Sequence, residues 1–275
     1  MTVLIPNILS VAGVDPSGGA GILADVKTMS ALGGYGCAVV AALTAQNTQA
    51  VTHIHPVPAD FVAAQLDTLF KDVRIDATKI GMLGQVPVIR VVAEKLSTYR
   101  CEHIVLDPVM VAKSGDMLLE KNAVGELREA LLPLATMLTP NLPEGGVLTE
   151  RRPPENLAEM RKMAEILRKK MNDQGHRWVF LKGGHLPGNE TTDLLHDGDV
   201  MITLPGQRIQ TSNTHGTGCT LSAALATLLA RGLTAPQAAE QAKAYLTQAI
   251  AQAHALTVGQ GHGPVNHFHG IWENP

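Results

Sequence analysis

Asn213-Thr214-His215-Gly216-Thr217-Gly218-Cys219-Thr220 runs directly into Leu221-Ser222-Ala223-Ala224-Leu225-Ala226-Thr227-Leu228-Leu229-Ala230. The second half is rich in alanine and leucine and free of Gly and Pro, which predicts a buried or nearly buried helix. The first half is then its opening turn. Two glycines alternating with small hydroxyl residues leave no Cβ between the backbone N–H groups and a ligand. The unsatisfied N–H groups of a first helical turn carry about half a unit of positive charge, and such a turn cradles an anion, most often phosphate. Cys219 sits at that positive end, where a thiol with a reference pKa of about 8.5 is drawn toward thiolate. A plain turn and a small buried hydrophobe are the competing readings of the same residues.

The chain has 275 residues, 45% of them hydrophobic and 17% charged, which suits a globular α/β protein with a sizeable core. A net charge of −3 and 3% aromatics supply neither a basic field nor stacking platforms, which argues against a nucleic-acid role. Cys37, Cys101 and Cys219 are odd in number and widely spaced, which argues against a disulfide framework or a zinc site and for a reducing cytoplasm. The apolar start, Met1 to Val14, lacks a basic leader and stops at Asp15, well short of a membrane span.

Upstream of the opening stretch the same grammar recurs: a short apolar strand, a glycine-flanked loop, a helix. Ile8 to Ala12 runs into Gly13-Val14-Asp15-Pro16-Ser17-Gly18-Gly19-Ala20-Gly21 and a helical pattern to Leu32, a βα ligand site that matches neither a P-loop nor G-x-G-x-x-G. Asp25 either faces that pocket or is a solvated helix residue. Tyr35 to Ala45 is nearly continuous in apolar residues, as in a parallel strand covered on both faces, and ends at Gln46, whose amide suits a heterocycle edge or caps a loop. Helical patterns span Pro58 to Asp72 and Val86 to Tyr99. Between them, a strand around Thr78 to Ile80 precedes Met82, a ring-packing or a core methionine. Asp107 ends the strand His103 to Leu106, a common place for a carboxylate that holds magnesium. Lys113 is a phosphate partner or a surface charge.

A helix spans Asn122 to Leu132. Asn141 and Glu144 follow the strand Thr136 to Leu138 and are placed to share a cleft with magnesium, although a helix N-cap explains Asn141 equally well. Beyond a charged helix, Leu157 to Asn172, Lys182 follows the strand Trp178 to Leu181, where a lysine reaches a phosphate as a point charge. A hairpin is expected over Asp193 to Thr203, a short strand over Gln207 to Thr211 and a long helix over Ala235 to Leu256. The Gly- and His-rich tail, Gly259 to His269, is expected to lie outside the core and to close over the pocket. The βα count predicts one doubly wound domain over residues 1–275.

Eight motifs in order now carry a resemblance: AGVDPSGGAGILAD (12–25), TAQNT (44–48), KIGML (79–83), DPVMVAKSG (107–115), TPNLPE (139–144), LKGGH (181–185), NTHGTGCTLSAA (213–224) and GPVxHFH (263–269). They resemble the bacterial hydroxymethylpyrimidine/phosphomethylpyrimidine kinases of thiamine biosynthesis, in the ribokinase-like superfamily, essentially end to end. The resemblance implies a mostly parallel central sheet with helices on both faces. It also implies ATP-dependent phosphorylation of 4-amino-5-hydroxymethyl-2-methylpyrimidine and then of its monophosphate, by a homodimer. On the matching positions it places Gln46, Asp25, Thr44 and Met82 around the pyrimidine. Gly216, Thr217, Gly218 and Cys219 become the anion hole, Asn141 and Glu144 match the superfamily's N-x-x-E signature for magnesium and phosphate, and Lys182 becomes a phosphate contact, while Asp107 remains the magnesium carboxylate read from its strand end. Cys219 stands where sugar kinases of the superfamily carry a basic aspartate, and base or hydroxyl anchor are both open. Gly145-Gly146 departs from a more usual alanine-containing continuation. A pyridoxal or pyridoxine kinase, or an enzyme accepting both rings, is the rival reading.

Overall fold

The computed structural model describes residues 4–112, 115–116, 118–120 and 122–272; Lys113 lies outside them. The strands are β1 (Asn7–Val14), β2 (Tyr35–Gln46), β3 (Val51–Pro56), β4 (Ala77–Ile80), β5 (Ile104–Leu106), β6 (Met137–Leu138), β7 (Trp178–Leu181), β8 (Asp193–His196) and β9 (Met201–Leu204). They form one sheet in the order β3-β2-β1-β4-β5-β6-β7-β8-β9. From β2 to β7 every pairing is parallel, while the β2–β3 pairing at one edge and the β7–β8 and β8–β9 pairings at the other are antiparallel.

Alternation along the central strands assigns the helices to faces. Ile8, Val105, Met137 and Phe180 point to the face covered by α1 (Gly21–Ala31), α7 (Thr217–Ala230) and α8 (Ala235–Ala251). Leu9, Leu106, Leu138 and Val179 point to the other, which packs on α2 (Ala59–Asp72), α3 (Val86–Thr98), α5 (Leu142–Thr149) and α6 (Leu157–Lys170). Helix α4 (Ala123–Glu126) joins that second face and continues as a π-helical turn, Leu127–Leu131. Every residue of α7 from Thr220 to Leu229 is buried, as the alanine-leucine run predicted. Truncating one of its leucines, such as Leu225, costs about 2–5 kcal/mol in a core of this kind. No helix among the described residues is long and apolar enough to cross a membrane.

Four expectations are corrected. β2 is not covered on both faces throughout: its distal half pairs with β3, an edge strand the apolar pattern does not reveal, and leaves Leu43 and Ile54 exposed. Gln207 to Thr211 is not a strand, because only Gln207 makes a bridge, to Glu190. The last long helix stops at Ala251 and gives way to a 3-10 turn, Ala253–Ala255. The tail is partly core. Gly263 to His267 are buried, with the Gly263 carbonyl accepting the His215 N–H at 3.0 Å and the Asn266 N–H donating to the Ala249 carbonyl at 2.9 Å.

Candidate active site

The sheet order reverses beside β1: the chain steps from β1 to β2 on one side and later to β4 on the other. Crevices at such a switch point, beyond the carboxyl ends of parallel strands, collect ligands. Here a cavity of about 750 Å³ opens at the ends of β1, β4, β5 and β7 and is lined by Gly13, Lys79, Asp107, Lys182 and the first turn of α7.

That first turn is held open by backbone geometry. Gly216 caps α7 with φ +76, and a Cβ there would stand 1.8 Å from the Gly19 carbonyl oxygen, so glycine is required twice over. The N–H groups of Thr217, Gly218 and Cys219 have no intrahelical acceptor and line the cavity. Asp15 stitches the turn to the loop after β1. Its Oδ2 lies 2.7 Å from His215 Nε2 and accepts from the Ser17 hydroxyl and the Ala20 N–H, while Oδ1 accepts the Ser17 N–H. Burial opposes its charge, but the His215 and Ser17 bonds prevail and hold the carboxyl below its usual range.

Lys182 follows β7 and its Nζ donates to Asp107 Oδ1 at 2.9 Å, with Glu144 Oε2 at 3.9 Å. Asp107 also accepts from the Thr139 and Ser222 hydroxyls. Burial works against the Asp107 charge, yet Lys182 and then Lys79 keep its carboxyl below the ordinary value. Glu144 has the opposite fate: burial and the Asp107 charge outweigh Lys182 and push it up to about 7. Asn141 and Glu144 form a reciprocal capping box at the start of α5, Asn141 Oδ1 accepting the Glu144 N–H at 2.8 Å and Glu144 Oε2 the Asn141 N–H at 2.7 Å. Asn141 thus caps the helix and also lines the cavity.

Gln46, Thr44 and Met82 also line the cavity. The Thr44 hydroxyl sits 2.9 Å from the Val14 carbonyl and 3.1 Å from Gln46 Oε1, tying the end of β2 to the end of β1. Met82 lies across Gly13, where a Cβ would meet its Cε at 2.7 Å. Cys219 and Gln46 thus share one cavity, as the motif reading required.

Two expectations fail here. Asp25 does not line the cavity: it is fully buried, accepting from Lys79 Nζ at 2.8 and 3.0 Å and from the Ser10 hydroxyl at 2.6 Å. Nor is Cys219 drawn toward thiolate. Desolvation, with Asp25 and Asp107 adding to it, overrides Lys79 and the Gly21 N–H and pushes the thiol up to about 11. The residue that sequence reasoning missed is Lys79, a lysine inside the otherwise uncharged strand Ala77-Thr78-Lys79-Ile80 just ahead of Gly81. That misplaced charge was the visible sign.

Strand order, switch-point cavity and open helix mouth together define a small-molecule kinase of the ribokinase-like fold. Matching at family level makes this specific: the model of the phosphomethylpyrimidine kinase family covers residues 15–266, and the chain belongs to that family. It is 50% identical over 268 residues to the hydroxymethylpyrimidine/phosphomethylpyrimidine kinase of Escherichia coli (strain K12), over 97% of this chain and 98% of that one. Among solved structures it is similar to the phosphomethylpyrimidine kinase from Clostridium difficile 630, with TM-score 0.78 and 36% identity over 90% of this chain and 100% of that one. It is also similar to the pyridoxal kinase from Staphylococcus aureus in complex with AMP-PCP and pyridoxal, with TM-score 0.87 and 32% identity over 96% and 94%.

Proposed function

We propose that this protein uses ATP to phosphorylate the hydroxymethyl group of 4-amino-5-hydroxymethyl-2-methylpyrimidine and then the resulting monophosphate, as a cytoplasmic homodimer. The observation that carries this reading is one cavity lined both by Gln46, Thr44 and Met82 and by the first turn of α7. The pyrimidine lies against Met82 with its polar edge on Gln46. Its exocyclic hydroxyl is anchored by Cys219, whose raised pKa favours an anchor over a base at neutral pH. The γ-phosphate of ATP rests on the N–H groups of Thr217, Gly218 and Cys219, with Lys182 beside it. Phosphoryl transfer asks chiefly for positioning and charge neutralisation, which these groups supply.

Asp107 and Glu144 fit Mg2+. They are two cavity-lining carboxylates close enough for one charge to raise the other's pKa, a repulsion that a divalent cation relieves. No larger cluster of His, Cys, Asp or Glu gathers among the described residues, so the ion would keep several of its waters. Bound there, Mg2+ supplies charge for the phosphates of ATP; Asn141 keeps Glu144 oriented through the capping box. The exposed apolar residues of the β2–β3 ribbon, Leu43 and Ile54, support a subunit contact.

Following phosphate from labelled ATP into the pyrimidine alcohol, and then into its monophosphate, tests the reading; failure of both transfers rejects it. The likeness to the Staphylococcus aureus pyridoxal kinase supports a second reading, phosphorylation of pyridoxal in the same cavity. The same assay with pyridoxal in place of the pyrimidine decides between one ring and two.

A further inference from the structure

Against the cavity lies a charge pair that the proposed first transfer leaves without a task. Lys79 and Asp25 have no exposed side-chain surface, and the ammonium spans both carboxylate oxygens at 2.8 and 3.0 Å. A buried pair of this kind is weak evidence for stability, because apolar residues of the same volume often serve as well. Its orientation is informative. Lys79 borders the cavity and Asp25 does not, so the pair turns its positive end to the floor. After Asp25, the charged group that acts on Lys79 most strongly at neutral pH is Asp107, because the Cys219 thiol is protonated there, and both residues line the cavity with Lys79. Gly81 leaves room for this placement, since a Cβ there would sit 2.7 Å from Lys79 Nζ.

The two proposed transfers ask different things of that floor. In the first the nucleophile is a neutral hydroxyl. In the second, a phosphate oxygen of the monophosphate attacks the γ-phosphorus of ATP, the bond from that phosphorus to the β-bridging oxygen breaks and ADP leaves. The attacking group is then largely dianionic at pH 7, with no proton to surrender. It must enter the same narrow place against the charges of Asp107, Glu144 and ATP. We infer that Lys79, presented from below by Asp25, is the electrostatic residue of the second phosphoryl transfer: it offsets the charge of the phosphorylated substrate through the cavity floor and matters little to the alcohol. This inference rests on the proposed two-step activity. It makes Lys79 a positioning residue that acts through space at short range in a medium of low dielectric, and it predicts a change in the ratio of the two steps rather than a loss of both.

The test uses K79M/D25N, which removes both charges and leaves neither buried alone, with D25N as its converse. Each step is assayed separately on full-length protein whose folding is checked by thermal unfolding. For K79M/D25N, kcat/KM for the monophosphate should fall on the order of 100-fold, the scale of one lost electrostatic partner in such a site, with less than about 5-fold change for the alcohol. D25N unmasks the lysine and should move the ratio the other way, lowering KM for the monophosphate relative to the alcohol. Equal losses in both steps in K79M/D25N, or a D25N ratio that is unchanged or falls, overturns the inference. Should K79M/D25N fail to fold, K79Q/D25N, which also removes both charges but keeps polar groups for Ser10, takes its place, and a selective loss of the monophosphate step supports the inference while equal losses in both steps overturn it. Absence of turnover with the alcohol in the wild type instead rejects the proposed function.

Discussion

Lys79 and Lys182 stand at the carboxyl ends of two parallel strands, each against a carboxylate, and differ in how completely they are closed. Lys79 is sealed: both side chains of its pair are wholly buried, and the partner's oxygens are taken up by the ammonium and Ser10. Lys182 is open. Its side chain keeps 16% exposure, it has a second carboxylate at 3.9 Å, and it lies beside the free N–H groups of α7. A sealed pair can only impose a fixed field, whereas an open one can trade a carboxylate for a phosphate at small cost. The contrast teaches that the cavity separates a permanent electrostatic floor from exchangeable phosphate contacts.

Removing one member of the sealed pair should have the largest effect of all. Lys79→Met strands a buried carboxylate and is expected to cost about 3–5 kcal/mol of stability, read from denaturant unfolding. Lys182→Met should instead spare most of the stability, because Asp107 keeps Thr139, Ser222 and nearby Lys79. Its kcat/KM with ATP should fall about 100- to 1000-fold. If the two variants exchange these phenotypes, the distinction between sealed and open is wrong.

The anion turn sharpens the comparison from the backbone side. Gly216→Ala places a Cβ against the Gly19 carbonyl and asks a non-glycine residue to hold φ +76. The strain is worth at least about 1–3 kcal/mol, and the turn should shift so that KM for ATP rises while binding of the pyrimidine changes less. Unfolding midpoints and separate KM values for the two substrates check this, and an unchanged midpoint would reject a strained turn.

Cys219 reports the field over the floor. With its thiol pushed up to about 11, it is protonated at neutral pH, and the reactive thiolate appears only as pH rises toward that value. Alkylation at Cys219, mapped by mass spectrometry, should be slow at pH 7 and climb about tenfold per pH unit between pH 8 and 10. A plateau below pH 9 would show that the helix mouth and Lys79 win over burial.

What the sequence made legible was local. Each strand end that gives way to glycine or proline and a polar residue, at Gly13, Asp107, Asn141 and Lys182, announced a place on the cavity wall because strand ends in a parallel sheet face one way. What stayed hidden depends on contacts between distant residues. Asp25 and Lys79 are 54 positions apart, and nothing near Asp25 distinguishes a cavity carboxylate from one turned inward. The polar strand β3 is defined by its partner β2, not by its own composition. Of the tail's histidines, His262 is exposed as its setting suggests, but His267 is buried with its Nε2 3.2 Å from the Thr220 hydroxyl, a contact that no local pattern reveals. The thiolate expectation for Cys219 failed for a related reason: a helix mouth is visible in sequence and the depth of burial beneath it is not.

A third lysine places the comparison on a finer scale. Lys243, on α8, donates to the Thr191 and Leu204 carbonyls at 2.8 and 2.7 Å and to Asp193 Oδ2 at 2.8 Å, so all three of its protons are used. Asp193 in turn accepts the Gly183 N–H at 2.7 Å, and Gly183 is the residue after Lys182. The closed Lys243–Asp193 pair therefore braces the open Lys182 through one backbone bond. Lys243→Gln keeps donors at the site but removes the charge, and its effect should be the smallest of the series: KM for ATP up by about 3- to 10-fold, the worth of one modest hydrogen bond, with kcat nearly unchanged. A fall in kcat as deep as that of Lys182→Met would mean that Lys243 contacts the nucleotide phosphates itself, and the division between sealed and open lysines would have to be redrawn around three residues.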